Sequence, residues 1–518
     1  MVNPGPGTQV LNPRETGINR VIPDSIMSRF SELIASRIGL NFPKDRWDEL
    51  EKKILSASGD FNFSDAESCI KWFLSTGLTK KHLETLAGHL TVGETYFFRE
   101  RKSFEILEEH ILPEIIHSRN ERFLRIWVAG CSTGEEPYSI SILLERIIPD
   151  LKDWNITILA TDINTNVLRK ASEGVYRKWS FRETPLWVRE RYFTKTKEGS
   201  FKTHPEIKKM VTFAYHNLAE DPYPSLLNNT YAMDIIFCRN VLMYFVPEVA
   251  KKVIQNFYCS LSDKGWLIVS PSEVSPVLYP QFVTINLKDT ILYKKDIRKY
   301  KEVEPETEPV IPPVREYREP LPAIPVKGPW EEAPLKPEVN PYDEALALYK
   351  KGLYGVVIEK LSGVLLRDRG VPKGLTLLAR AYANQGKIEE ALKWSERAID
   401  ADKLDPSLHY LRATILQELG KIEEAISSLK KTLYLNPDSV LAHFSLGNLA
   451  LRQGKFKEQE RHFMNALSLL SKYKQEDILE ESEGITAGRL TEIIKTYIQP
   501  LPRGEGEGIL DPIHHNPG

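Results

Sequence analysis

The chain has 518 residues, 42% of them apolar and 27% charged, with a formal net charge of -2. That length exceeds what one hydrophobic core supports, and the near-neutral balance excludes a broadly basic nucleic-acid or anionic-membrane surface. No apolar run reaches the ~18 residues of a membrane span, and the opening MVNPGPGTQVLNPRETG lacks a secretory apolar segment.

Residues 1–20 read as a disordered N-terminus. Residues 21–95 predict a small all-α domain, because SIMSRFSELIASRIGL and CIKWFLSTG carry apolar residues at three- and four-residue spacing between turn residues. Residues 96–298 change period. Short β-branched runs (FLRIWVAG, ITILATDI, YAMDIIFCRN, WLIVSPSE) alternate with amphipathic stretches, which predicts an open, mostly parallel α/β sheet covered on both faces. Inside it, residues 192–213 form a polar insertion of short strands around Gly199. At the end FVTINLKDTILYKK reads as a hairpin that adds an antiparallel strand at one edge. Cys69, Cys131, Cys238 and Cys259 make no C-x-x-C pair, so reduced cytoplasmic thiols are expected, and neither a metal site nor a disulfide framework.

Proline and glutamate crowd residues 299–340, a composition that predicts a semi-rigid linker of polyproline geometry. Beyond it Gly352, Gly386, Gly420 and Gly454 recur every 34 residues, within text that itself repeats (NQGKIEEAL, ELGKIEEAI, RQGKFKEQE). That period with helix-turn-helix content resembles the tetratricopeptide repeat. Residues 341–498 are therefore read as four repeats with a capping helix from Thr486 to Ile498, and 499–518 as a disordered tail.

Ligands of an open α/β sheet sit at the carboxyl ends of its strands, so four strand-end loops matter most. The first, AGCSTGEEPYS, follows the strand RIWVA and starts a helix with Pro137 in its first turn. Gly130 and Gly134 permit close backbone approach. Glu135 and Glu136 suit a cationic ligand, and the spacing is neither G-x-G-x-x-G nor a Walker motif, which disfavours NAD and ATP. The second is Asp162, which can accept both ribose hydroxyls of a nucleoside and equally can cap a helix. The third and fourth are His216-Asn217-Leu218 and CRNVLMYF at 238–245, whose asparagines can read an adenine edge or an amino-acid head group, or serve as turn residues.

TVGETYFFRE at 91–100, then GCSTGEEPYS, ATDIN, HNL and CRNVLMYF, come in an order that resembles the chemotaxis-receptor methyltransferases, the CheR family, over residues 22–296. With the repeats, the resemblance implies a multidomain chain: a small all-α N-terminal domain, an α/β class I methyltransferase (Rossmann-like) domain with a small antiparallel β-subdomain, and an all-α tetratricopeptide-repeat domain. It implies S-adenosylmethionine as methyl donor, S-adenosylhomocysteine as product and no metal. Carried over by position, Gly93, Thr95, Arg99, Gly130, Glu135, Asp162, Asn217, Leu218, Asn240 and Val241 line the cofactor site, with Glu135 favoured over Glu136. Arg99 and Tyr244 stand at the reacting groups. The family usually has Asn where Gly93 sits, so one side-chain contact to the cofactor is lost.

The implied reaction is esterification of glutamate side chains on the cytoplasmic domain of chemotaxis-type receptors. A glutamate with pKa ~4.3 is already a carboxylate at neutral pH and needs no general base. Arg99 would grip it with two parallel hydrogen bonds. A short loop in the β-subdomain suggests a member that does not depend on a receptor-tail tether. Competing readings are a methyltransferase for a non-chemotaxis protein or a small molecule, and a cofactor-binding signalling adaptor. The repeats imply a further protein partner, which an array on a Pro-rich linker would concentrate near the active site. A cytoplasmic protein with no nucleic-acid partner and no membrane insertion is expected.

Overall fold

The computed structural model describes residues 22–118, 122–296, 341–365 and 372–498. The stretches read as disordered N-terminus, linker and disordered tail lie outside these described residues. The chain divides into two compact units between Val92 and Gly93.

In the first unit the helices Asp24–Ile38, Trp47–Ser58, Ala66–Thr76 and Lys80–Leu90 bury Phe30, Ile34, Leu50, Ile54, Ile70, Phe73 and Leu86. Their starts are set locally. Asp65 accepts the Ser68 amide at 2.8 Å, and Thr79 and His82 form a reciprocal capping box.

Among the described residues the second unit has ten strands: β1 (Phe123–Ala129), β2 (Asn155–Asp162), β3 (Val175–Tyr176), β4 (Phe193–Lys195), β5 (Phe201–Thr203), β6 (Val211–Tyr215), β7 (Met233–Phe237), β8 (Leu261–Ile268), β9 (Val283–Leu287) and β10 (Thr290–Lys294). Seven form the main sheet in the order β6-β2-β1-β7-β8-β10-β9. β6, β2, β1, β7 and β8 run parallel, and β10 is antiparallel to both β8 and β9. The expected hairpin is there, and it supplies two strands at one side of the sheet, with β9 at the edge. The order reverses between β1 and β7, which opens a crevice at their carboxyl ends. A separate small antiparallel sheet runs β3-β5-β4. It starts earlier than residue 192, at Val175, while Val211–Tyr215 belongs to the main sheet. A two-residue strand is too short to show a period of two.

Along β1, Leu124, Ile126 and Val128 enter one core and Trp127 and Ala129 the other, the alternation of a strand buried on both faces. The helix Glu135–Ile147 covers the first face. On the second, the helix Pro247–Ser260 shares the work with the repeats, whose Ala345, Leu348, Tyr354, Val357 and Leu377 join Trp127 and Phe257 in a single core. The connection from β6 to β7 is irregular, so no helix of the α/β domain lies there. Its Leu226, Tyr231 and Ala232 pack instead on Ala379, Leu411 and Ile415.

The repeats form four helix pairs, Pro341–Lys350 with Tyr354–Leu365, Pro372–Asn384 with Ile388–Ala401, Pro406–Glu418 with Ile422–Leu435, and Val440–Arg452 with Phe456–Leu470, followed by the helix Ala487–Ile498. Each pair turns at one of the four periodic glycines, at φ between 68° and 76°. At Gly352 a Cβ would lie 2.8 Å from the Cys259 sulfur, so this turn presses directly on the end of the helix Pro247–Ser260. Lys295, fully buried, donates to the Leu261 carbonyl at 2.7 Å beneath Tyr258 and Tyr354. Gln385 donates to Asp263 at 2.7 Å. The expectation of a tethered array is therefore corrected: the repeats complete the core of the α/β domain, because its second sheet face would otherwise be exposed.

Candidate functional site

Close approach of two loops fixes the centre of the strand-end crevice. β1 runs into Gly130 at φ 81°, where a Cβ would sit 2.3 Å from Val241 Cγ2. Only glycine lets the loop after β1 meet the loop after β7. The Gly130 and Cys131 amides donate to the Thr161 carbonyl at 2.8 and 2.9 Å. The Ser132 and Asn164 amides each donate to one Asp162 carboxylate oxygen at 2.9 Å, and the His216 amide donates to the Asp162 carbonyl at 3.1 Å. Ser132 Oγ donates to the Gly93 carbonyl at 3.0 Å. Gly93, Gly130, Asp162, Asn217 and Val241 are thereby gathered at the carboxyl ends of the strands.

Asn217 is buried; its amide donates to Asp221 Oδ2 at 2.7 Å and its Oδ1 accepts the Ala219 amide at 3.1 Å. Leu218 beside it is buried too. Asn240 takes a left-handed turn at φ 57°. That turn is held by Glu273, whose two oxygens accept the amides of Asn240 (2.8 Å), Val241 (2.7 Å), Met243 (3.3 Å) and Ser270 (3.1 Å), together with Ser270 Oγ (2.7 Å). Sequence reasoning missed Glu273, although S-x-x-E in SPSE is a capping-box signal. Tyr244 is half-buried in the short helical turn Leu242–Tyr244.

The two candidate acids have different partners. Glu135 accepts Thr133 Oγ1 at 2.6 Å and Ser180 Oγ at 2.9 Å, and burial raises its carboxyl above the usual glutamate value. Glu136 is raised by desolvation as well, opposed by Arg239, which donates to it at 2.7 Å. Arg239 also pairs with Glu100 at 3.0 Å and donates to the Arg99 carbonyl. This buried guanidinium stood inside the CRNVLMYF motif without being singled out. It ties the loop after β7 to the Arg99 segment. Desolvation raises Asp162 too, offset in part by the amides it accepts.

Arg99 donates to the Glu94 carbonyl at 2.9 Å, so its guanidinium folds back toward the Tyr96 ring. Thr95 is half-buried. Phe97 is fully buried, stacked on Phe181 at 4.8 Å, which is packing rather than chemistry. The thiols of Cys131 and Cys238 are pushed well above the usual range by burial, with neighbouring carboxylates adding to it. Burial also lowers the proton affinity of His216. Among the described residues no group of three or more His, Cys, Asp or Glu could hold a metal ion. Glycine-permitted backbone approach, a strand-end carboxylate and the buried acid Glu135, bonded to hydroxyls where Glu136 is bonded to Arg239, fit a nucleoside that carries positive charge.

The family described as "CheR methyltransferase, SAM binding domain" matches residues 93–290. Those described as "Anaphase-promoting complex, cyclosome, subunit 3" and "TPR repeat" match residues 356–432 and 413–454. "Chemotaxis protein methyltransferase 2" of Vibrio cholerae is 33% identical over 255 residues, which span 49% of this chain and 86% of that relative. The "Chemotaxis protein methyltransferase" of Borreliella burgdorferi is 30% identical over 270 residues, 51% of this chain and 92% of the relative. "Probable biofilm formation methyltransferase WspC" of Pseudomonas aeruginosa is 26% identical over 424 residues, 80% of this chain and 93% of its own length.

Proposed function

The chain belongs to the CheR family of S-adenosylmethionine-dependent methyltransferases, and from that premise we propose that it esterifies glutamate side chains on the cytoplasmic domain of chemotaxis-type receptors. S-adenosylmethionine supplies a methyl group already activated on a sulfonium. Asp162 would hold the ribose, Asn217 and Leu218 the adenine side, and Asn240 and Val241 the opposite wall. Thr95 and the Gly93 backbone would close the pocket, while the buried acid at Glu135 balances positive charge.

The observation that carries the reading is chemical. The strand-end carboxylates are already committed, Asp162 to the Ser132 and Asn164 amides, Glu135 to the Thr133 and Ser180 hydroxyls and Glu136 to Arg239, so none is set up as a base for a neutral acceptor. An acceptor must then arrive already deprotonated, which an ionised glutamate does. Arg99 would bind that carboxylate through its fork of donors, Tyr244 would border the transferring methyl, and closure would exclude water. The repeats recruit a further protein partner. Arg380, Tyr410, Glu481 and Glu483 of the repeat region line one cavity together with Leu226 and Leu227, and within it Arg380 pairs with Glu481. No helix of the described residues is long and apolar enough to cross a membrane, and we place the reaction in the cytoplasm, where a receptor's signalling domain lies.

The test is transfer of labelled methyl from S-adenosylmethionine to receptor cytoplasmic fragments by the full chain. Base-labile label on glutamate is expected. Base-stable label would assign another nucleophile, and cofactor binding with no transfer to receptor fragments would overturn the receptor reading.

A further inference from the structure

The loop after β6 is closed on a carboxylate whose counter-charge comes from the far end of the chain. The Asn217 carbonyl accepts the amides of Glu220 (3.2 Å) and Asp221 (2.8 Å), and Asp221 Oδ2 accepts the Asn217 amide at 2.7 Å. The loop is thus a small ring with Asp221 as its clasp. Asp221 is 8% exposed, and a carboxylate so placed is costly without compensation. Arg489, in the helix Ala487–Ile498, supplies it side-on: Nε lies 2.8 Å from Oδ1 and a terminal nitrogen donates to Oδ2 at 3.0 Å. The guanidinium sits 5.0 Å from the ring centre of Tyr215, the last residue of β6. His216 Nδ1 is 3.8 Å from Asp221, but burial holds its proton affinity down, so it is a poor substitute for the charge. Glu492, one turn along, is 3.8 Å from Arg489 and helps to aim it.

We propose that Arg489 is a positioning residue for the cofactor pocket, through which the last helix of the repeat region sets the geometry of Asn217 and Leu218. The inference rests on the reading of those two residues as pocket-lining. Arg489 touches neither cofactor nor acceptor; it fixes Asp221, and Asp221 fixes the Asn217 backbone. The repeat region is then part of the catalytic unit, and whatever shifts its last helix shifts cofactor affinity.

The test uses the full chain with S-adenosylhomocysteine in calorimetry and S-adenosylmethionine in steady-state kinetics. Arg489→Ala is expected to weaken product binding by about tenfold. It should raise KM for S-adenosylmethionine by a similar factor, with kcat at saturation and KM for the acceptor retained. Arg489→Lys keeps the charge and recovers most of the loss, and Asp221→Asn combined with Arg489→Ala costs less than the sum of the two single changes. Gln385→Ala breaks a different contact between the repeats and the α/β domain and leaves affinity unchanged. Should Gln385→Ala weaken binding as much as Arg489→Ala, the effect is general loosening and the positioning role is overturned. Asn217→Ala separates the two layers. If it weakens binding while Arg489→Ala does not, the inference about Arg489 falls alone; if Asn217→Ala leaves binding intact, the pocket assignment falls first.

Discussion

Glu273→Gln removes one charge and almost no volume, yet the structure makes it a severe change. Glu273 is 6% exposed, and each of its oxygens serves at least two donors: Val241 and Met243 amides at Oε1, Asn240 and Ser270 amides at Oε2. In either orientation the new NH2 group faces two amides and can accept from neither. Bonds to an ionised acceptor are worth about 1.5–3 kcal/mol each, so two give ~3–6 kcal/mol, a large share of the ~5–15 kcal/mol of a typical domain. Denaturant titration of the full chain measures the stability loss, and calorimetry with S-adenosylhomocysteine measures the loosening of Asn240 and Val241. A loss below ~1 kcal/mol with unchanged product affinity would refute the role given to Glu273.

Further outcomes are expected. Arg99→Ala abolishes methyl transfer and keeps most cofactor affinity, whereas Asp162→Ala weakens cofactor binding; wild-type turnover in the first or unchanged affinity in the second removes that residue from the site. Gly93→Asn strengthens binding, since a Cβ there meets Ser132 Oγ at an ordinary 3.5 Å and the family's usual side chain is restored; weaker binding would contradict this. Gly420→Ala, at φ 70° with open space around it, costs ~1–2 kcal/mol of backbone strain. Gly352→Ala adds a clash with Cys259 and costs ~1–3 kcal/mol more, so equal melting temperatures would deny the docked repeat interface. Finally, burial holds Glu135 and Glu136 above the usual 4.5. Their folded-state values exceed the unfolded ones, so that stabilisation is present at low pH and lost as pH rises through the raised values. A cationic ligand favours the ionised forms. Cofactor binding should therefore release protons within that window and weaken as pH falls through it; calorimetry in buffers of different ionisation enthalpy reads this, and proton uptake would contradict it.

The alternation of apolar runs made the sheet legible, because a strand buried on both faces such as β1 leaves a continuous hydrophobic signature. The 34-residue glycine period likewise named the repeat turns, each of which needs a positive φ. The loops of the candidate site were legible as motifs. What joins them was harder to read: Glu273 and Arg239 act across gaps in sequence, and no local period marks a carboxylate that collects amides from two loops. The docking of the repeats was hidden for a related reason. A missing helix between β6 and β7 leaves an apolar sheet face whose cover comes from beyond residue 340, and the proline-rich text between the two suggested separation. Asp221 and Arg489 lie 268 positions apart and only the fold brings them together.

Diffraction from crystals of the full chain grown with S-adenosylhomocysteine tests the central claim most directly. Difference density for the nucleoside against Asp162, with Gly130, Asn217 and Val241 around it, is the predicted result. Product density elsewhere on the molecule, with the β1 and β7 loop ends empty, would contradict it.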